Sequence, residues 1–436
     1  MRSIRTYELK NLPGFKKKLL QWAQQFQEII WLDSNEHNSS YKNYDAVLAV
    51  EAFTAIKTDT FSAFEKLEEY QQQTRDWIFG YLGYDLKNDV EDLRSENADG
   101  LQFPDLYFFQ PKKLFLLKDG KVELHYLKMV DDEMEPDFEE ILATKVIVSE
   151  TISNIETTAR ISKEKYVEKV SKMLEHIHRG DIYEANFCQE FYAENVEIDP
   201  LGCYRKLNGI SHPPFAAFLK LEEFYALSAS PERYLKRTGN KVISQPIKGT
   251  ARRSPNGEED KKLAKALKND PKEISENVMI VDLVRNDLSR TASKGSVEVE
   301  ELCGLYSFEQ VHQLISTISS QVKPGISSVE ILKTTFPMGS MTGAPKISAM
   351  QIIENLEEIK RGLYSGAIGY FSPSGDFDFN VMIRSILYNS KNKYVSFSVG
   401  GAITAKSIPE NEYEECLVKA KAMRESLFSS KASRTL

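Results

Sequence analysis

The chain has 436 residues, of which 41% are hydrophobic and 28% charged, and a formal net charge of −8. That is enough for two or three ordinary domains, or for one large one that buries about three quarters of its unfolded surface without disulfide or metal staples. The acidic balance argues against a nucleic-acid binder, no apolar run approaches the ~20 residues of a membrane span, and "MRSIRTYELKNLPGFKKK" at the start lacks the apolar segment of a secretory signal.

The first ~155 residues read as mixed α and β. "YDAVLAVEAF" predicts a strand, "TFSAFEKLEEYQQQ" a helix, and "KKLFLLKDGKVELHYLK" a hairpin turning at Asp119-Gly120. "VDDEMEPDFEE" reads as an acidic, exposed linker. A boundary is expected near 155/156. Beyond it, Ser162 caps a helix whose apolar positions Tyr166, Val170, Met173, Leu174 and Ile177 recur every three or four residues, and Gly180 ends it. Strand-like runs follow: "IYEANFCQEFYA", "FAAFLKLEEFYALSAS" and "RYLKRTGNKVISQPI". "EEDKKLAKALKNDPKEISENVMIVDLVRNDLSR" is helical, and "GAPKISAMQIIENLEEIKR" is a helix with Pro345 in its first turn. "SGAIGYFSPSGDFDFNVMIRSILYNSKNKYVSFSVGGAIT" reads as a three-stranded meander, and a last helix begins after Pro409. Strands and helices in mixed order, without βαβ alternation, predict an α+β fold with antiparallel sheets. Cys188, Cys203, Cys303 and Cys416 form no CxxC pair and have no histidine at zinc-ligand spacing. They read as reduced, mostly buried thiols of a cytoplasmic protein.

Five constellations could carry chemistry. Glu273 with Glu276, and Glu412 with Glu415, are each three apart on a helix, so each pair shares a face. Two such faces across a cleft would hold a divalent cation partly through water, as Mg²⁺ prefers. By spacing alone such pairs are more often solvated surface. Gly400 and Gly401 in "SVGGAITA" end a strand and would let backbone N–H groups approach an anion, with Arg384 on the preceding strand as a bidentate carboxylate partner; a bulge or turn is the ordinary reading. "FPMGSMTGAPK", with Ser340, leads into a helix N-terminus that offers donors to a carboxylate, but lacks the ending of a P-loop. His312 lies in an apolar run and by pattern alone is more often a core histidine than a functional one. Glu232 in "SPERYL" and Lys248 in "PIKGT" flank the turn "RTGNK". Two strands so joined would place an acid and an amine on one ligand, or in a plain cross-strand salt bridge.

Taken in order, "GDIYEANF", "SPERYL", "PIKGT", "ENVMIVDLVRNDLSR", "VHQLIS", "GSMTGAPKISAMQIIENLE", "YSGAIGYF", "MIRSI" and "GGAITAKSIPENEYEE" resemble the chorismate-utilising enzyme family. That family includes the large subunits of anthranilate synthase and aminodeoxychorismate synthase, and the isochorismate and salicylate synthases. The resemblance is close over about 160–430 and looser before it, where "IIWLDSN" looks like part of the family's tryptophan-binding region. It implies two large antiparallel sheets packed as a sandwich with helices outside, the N-terminal portion (1–155) intertwined with a chorismate-binding catalytic portion (156–432).

The resemblance also implies roles. Glu276 and Glu415 match metal ligands for Mg²⁺, and Glu273 and Glu412 match acids that hold its waters. Ser340, Tyr364, Arg384, Gly400 and Gly401 match positions around the substrate carboxylates, and His312 one near the C1 carboxylate and the ring. Lys248 discriminates within the family: "PIAGT" is similar to the anthranilate-forming branch, "PIKGT" to the aminodeoxychorismate-forming one, in which the lysine is the nucleophile and Glu232 the acid. A free lysine titrates at about 10.4, so the neutral amine costs about 4 kcal/mol near pH 7, and burial or Mg²⁺ is expected to lower its pKa. Glu232 is expected to be raised. Three departures stand out: Glu184 where the motif usually reads "YQ" and where isochorismate and salicylate synthases place a lysine, Ala402 for a third glycine, and Lys406 for an aspartate. No glutaminase nucleophile motif is visible, so a separate glutamine amidotransferase subunit is the implied source of ammonia. Anthranilate synthase component I, or an isochorismate or salicylate synthase, is the alternative.

Overall fold

The computed structural model describes residues 1–37, 40–147, 155–309 and 311–428. Residues 148–154, just before the expected boundary, and 429–432, at the end of the expected second portion, lie outside the described residues.

Among the described residues, twenty strands form one continuous hydrogen-bonded sheet in which every ladder is antiparallel. The expected two layers are its two arms, joined through the long strand Leu106–Lys118. The C-terminal part of that strand pairs with Lys121–Leu127, and its N-terminal part with Ile78–Leu82. One arm continues through Ala46–Thr58, Glu28–Asp33, Phe215–Leu221, Phe224–Ser230, Ser385–Asn389 and Tyr394–Thr404 to Glu184–Ala193. The other continues from Ile78–Leu82 through Ala367–Phe371, Phe377–Val381, Arg233–Thr238 and Lys241–Gln245 to Val311–Gln321. Strands from before residue 155 therefore sit between strands from after it.

Burial explains why the strands read as apolar runs rather than alternating ones. In Glu28–Asp33, Ile30 faces one core cluster while Ile29 and Trp31 face the other; Val47 and Ala49 alternate with Leu48 and Val50 in the same way. The first cluster joins the two arms with helices Ala63–Thr74, Pro271–Ser289 and Ser328–Thr335. The second packs Leu12–Trp22, Lys163–Arg179, Pro200–Ser211 and Pro409–Leu427 on the outside of the first arm.

The hairpin turns at Asp119-Gly120, both at positive φ, and Ser162 and Gly180 bound the helix Lys163–Arg179. Three expectations change. "VDDEMEPDFEE" is helical, ending in Met134–Ala143, because Met134, Asp137 and Ile141 are buried at helical spacing. Asp137 is tolerated there by hydrogen bonds from Lys113 Nζ (2.7 Å) and Tyr126 OH (2.8 Å). The C-terminal meander is two hairpins rather than one three-stranded unit: Phe377–Val381 leaves for Arg233–Thr238 and Ser385–Asn389 for Phe224–Ser230. The chain breaks between them at Met382–Arg384, with Arg384 at φ +53°. Pro345 caps its helix, which spans Lys346–Leu356, rather than sitting in the first turn. All four cysteines are free; Cys188, Cys203 and Cys416 are buried. Among the described residues, no helix is long and apolar enough to cross a membrane.

Candidate active site

Lys248 lies on Ile247–Arg252, which pairs with Val311–Gln321. The register slips between Ile247 and Thr250, and Gly249 takes φ +92°, so the ladder is interrupted where the lysine stands. Asn277 secures that interruption. Its Nδ2 donates to the Lys248 carbonyl (3.3 Å) and the Leu314 carbonyl (3.4 Å), while its Oδ1 accepts from Ser316 Oγ (2.5 Å). Sequence reasoning missed Asn277, although it sits at helical spacing with Glu273 and Ile280. Asn277→Ala is expected to cost about 1–3 kcal/mol, because it leaves buried partners unpaired. Urea unfolding measures the loss.

The turn "RTGNK" does form a hairpin, between Arg233–Thr238 and Lys241–Gln245. Glu232 and Lys248 flank its open end and do not make the cross-strand salt bridge. Lys248 Nζ is held instead by Glu184 Oε1 at 2.9 Å, a pair buried on both sides. Burial pushes the Lys248 ammonium down. Glu184 above all, then Glu276 and Glu232, outweigh it and hold the pKa above the ordinary lysine value. Burial by itself therefore does not produce the expected lowering, because carboxylates surround the amine. Glu232 meets its expectation: burial pushes it up to about 7 against the hydrogen bond from Ser340 Oγ (2.6 Å) and the charge of Lys248. A carboxyl with that value is half protonated near neutrality and can donate. Ser340 therefore touches the acid.

The four expected acids converge from the starts of Pro271–Ser289 and Pro409–Leu427. Burial pushes Lys272 down, but the charges of Glu276, Glu412, Glu273 and Glu415 together carry it above its ordinary value. Lys419 pairs with Glu415 Oε1 at 2.6 Å, and Lys272 stands 3.7 Å from Glu276 Oε1. Both lysines were legible as i,i+4 partners. Glu276 Oε1 is buried without a hydrogen bond. Burial raises Glu276 to about 7 and lifts Glu273 and Glu412 as well, whereas Lys419 holds Glu415 low against its burial. Such a cluster is short of positive charge. Among the described residues no three acids close into a metal cage. A cation here would take one or two carboxylates and keep waters, which suits Mg²⁺.

Gly400 and Gly401 do not end their strand. Tyr394–Thr404 runs on, with Gly400 opposite Cys188, Gly401 opposite Phe187 and Thr404 opposite Glu184. A Cβ at Gly400 would collide with the Phe187 carbonyl, so the neighbouring strand demands this glycine. A Cβ at Gly401 would lie 3.4 Å from Glu412 Oε2 and 3.6 Å from Glu415 Oε1, which places the Gly-Gly pair against the acids. Gly400→Ala is expected to cost about 1–3 kcal/mol by forcing the strands apart, read as a lowered thermal midpoint.

Arg384 Nη1 donates to the Lys419 carbonyl at 3.4 Å. Burial lowers its pKa against the charges of Tyr364 and Glu415, which puts Arg384, Tyr364 and the acidic cluster in one neighbourhood. A guanidinium with donors to spare is chemically suited to receive a carboxylate. His312 lies opposite Ala251 on the strand that carries Lys248. Its Nδ1 faces Ser307 Oγ (2.8 Å) and its Nε2 faces Asp260 Oδ1 (3.0 Å), with Arg253 on the same aspartate. Both ring nitrogens are engaged by these side chains.

A family model described as chorismate binding enzyme matches residues 19–425. An anthranilate synthase component I-like protein of Synechocystis sp. is 35% identical over 350 residues, covering 80% of this chain and 71% of that protein. Aminodeoxychorismate synthase component 1 of Escherichia coli is 36% identical over 352 residues, covering 78% and 74%. The crystal structure of anthranilate synthase component I from Streptococcus pneumoniae superposes with a TM-score of 0.76 at 27% identity, covering 89% of this chain and 94% of that one. The acid, the amine and the acidic cluster lie within electrostatic reach of one another, and by its sequence match and architecture the chain belongs to the chorismate-binding enzyme family and is a chorismate-utilising enzyme.

Proposed function

We propose that this chain is the synthase component of an aminodeoxychorismate synthase. It would convert chorismate and ammonia to 4-amino-4-deoxychorismate, a precursor of 4-aminobenzoate and folate, through a covalent bond to Lys248. The observation that carries the reading is the buried amine of Lys248 in the same cleft as Glu232, a carboxyl raised to about 7. An amine without an acid could not expel a hydroxyl, and an acid without an amine would leave C2 open to ammonia.

In this reading Lys248 attacks C2 of the ring, and Glu232 gives its proton to the departing C4 hydroxyl. Ammonia then attacks C4 and the lysine leaves. Arg384 with Tyr364 and the Gly400-Gly401 strand hold the substrate carboxylates. Ser340 keeps Glu232 oriented. Mg²⁺, held by Glu276 and Glu415 with Glu273 and Glu412 on its waters, would neutralise the C1 carboxylate. His312 ties Ser307 to Asp260. Ammonia comes from a separate glutamine amidotransferase.

The test is product identity. Chorismate, Mg²⁺, ammonium and an aminodeoxychorismate lyase should yield 4-aminobenzoate; anthranilate in its place would overturn the reading. Anthranilate synthase is the second reading, favoured by relatives of equal similarity. Product formed without ammonium would point instead to an isochorismate or salicylate synthase. Removing the divalent cation with EDTA is expected to abolish turnover, and Mg²⁺ should restore it. In Glu276→Gln, calorimetry should find Mg²⁺ binding in the presence of chorismate weakened by at least about tenfold.

A further inference from the structure

Glu184 is the one carboxylate in the cleft that the reaction above leaves without work. Its backbone is fixed on both sides, opposite Thr404 in one ladder and Ala344 in the other. The residue is 1% exposed. Oε1 accepts from Lys248 Nζ at 2.9 Å, while Oε2 is buried with no hydrogen-bond partner. A carboxylate kept only to anchor an ammonium gains by spending both oxygens, since an unpaired buried one costs about 1–3 kcal/mol. Here one oxygen is committed to the lysine, on the line along which a proton can pass, and the other has no partner among the described residues.

We propose that Glu184 is the base that takes the proton from Lys248 and so releases the amine for attack, and that it returns the proton when the lysine leaves. The proposal rests on the reading of Lys248 as nucleophile. Glu184, Glu276 and Glu232 are the carboxylates whose fields act most on the amine, and Glu273 also feels its charge. Of these, Glu184 alone is within hydrogen-bond reach of it. Transfer along that bond turns two buried charges into two neutral groups, which offsets part of the cost of the free amine.

The step balances. A proton moves from Nζ to Glu184, leaving a neutral amine and a neutral acid. The nitrogen lone pair forms the bond to C2, the two ring double bonds shift toward C4, and the C4–O bond breaks. The hydroxyl leaves as water with the proton of Glu232. Ammonia then attacks C4, the double bonds shift back, and the C2–N bond breaks with its electron pair returning to Nζ. The amine recovers its proton from Glu184, and the surplus proton of the new C4 amine passes to Glu232.

The test uses the full chain with Mg²⁺ and chorismate but no ammonium, following the Lys248 adduct by rapid quench and peptide mass spectrometry. Glu184→Gln keeps the size and an acceptor for Nζ but is not a base. It is expected to slow adduct formation by at least about 100-fold, with chorismate binding within about threefold of the parent. In Glu184→Ala, added formate is expected to accelerate adduct formation in proportion to its concentration, and in Glu184→Gln to do nothing. Adduct formation by Glu184→Gln at the parental rate would overturn the proposal, since an amide can position but cannot take the proton. So would a folded Glu184→Ala that ignores formate. Absence of any adduct in the unmodified protein would instead overturn Lys248 as nucleophile, so the two failures are distinguishable.

Discussion

Replacing Lys248 by alanine is expected to cut lyase-coupled 4-aminobenzoate output by more than about 10⁴-fold, the scale on which removal of a nucleophile acts. Among the described residues the side chain's hydrogen-bond partner is Glu184 alone, and Asn277 grips the backbone carbonyl, which alanine retains. The variant should therefore fold, and chorismate affinity should change little. With the amine gone, C2 lies open to ammonia, and any residual product should be C2-aminated and visible as anthranilate fluorescence. Unchanged 4-aminobenzoate output would refute the nucleophile.

Glu232→Gln is expected to lower kcat by about 10²–10⁴-fold with KM nearly unchanged, because an amide occupies the same space and cannot protonate the leaving hydroxyl. The sign of its pH dependence follows from burial. Glu232 is raised to about 7, so its protonated, donating form prevails below that value and is lost above it. With the Lys248 proton passing internally to Glu184, the lysine adds no opposing limb in this range. The parent should lose kcat/KM as pH rises through about 7, and Glu232→Gln should be flat there. A parent profile that rises through the same range would contradict the assignment of Glu232 as acid.

Much of this was legible in the sequence, and the illegible remainder has a common cause. Helix faces and tight turns are local. The spacing of Glu273 with Glu276 and of Glu412 with Glu415, the Ser162 cap and the Asp119-Gly120 turn all appeared where period and turn chemistry placed them. What failed was decided by distant partners. The acidic run at 130–140 becomes a helix because Lys113 and Tyr126 receive Asp137. The C-terminal strands part at Arg384 because each finds a better neighbour in 224–238. Gly400 is required by a strand that precedes it by more than 200 residues, a contact no local pattern shows. The partner of Lys248 lies 64 residues upstream, so spacing toward Glu232 suggested the wrong ion pair. The same three carboxylates reverse the expected direction of the Lys248 pKa, an outcome no local pattern contains.

In the proposed reaction, that reversal makes proton removal from Lys248 a costly step. Lys272 and Lys419 stand beside Glu276 and Glu415, so cation binding must displace or share them. The charge around Lys248 is thereby coupled to occupancy of the acidic cluster. Glu276 is one of the groups holding the amine protonated, and a cation on Glu276 weakens that hold.

The most direct measurement is peptide mapping of the intact protein after mixing with chorismate and Mg²⁺ in the absence of ammonium. The expected result is chorismate less one water attached at Lys248, discharged as 4-amino-4-deoxychorismate when ammonium is added. An unmodified Lys248 in protein that turns over chorismate would contradict the account.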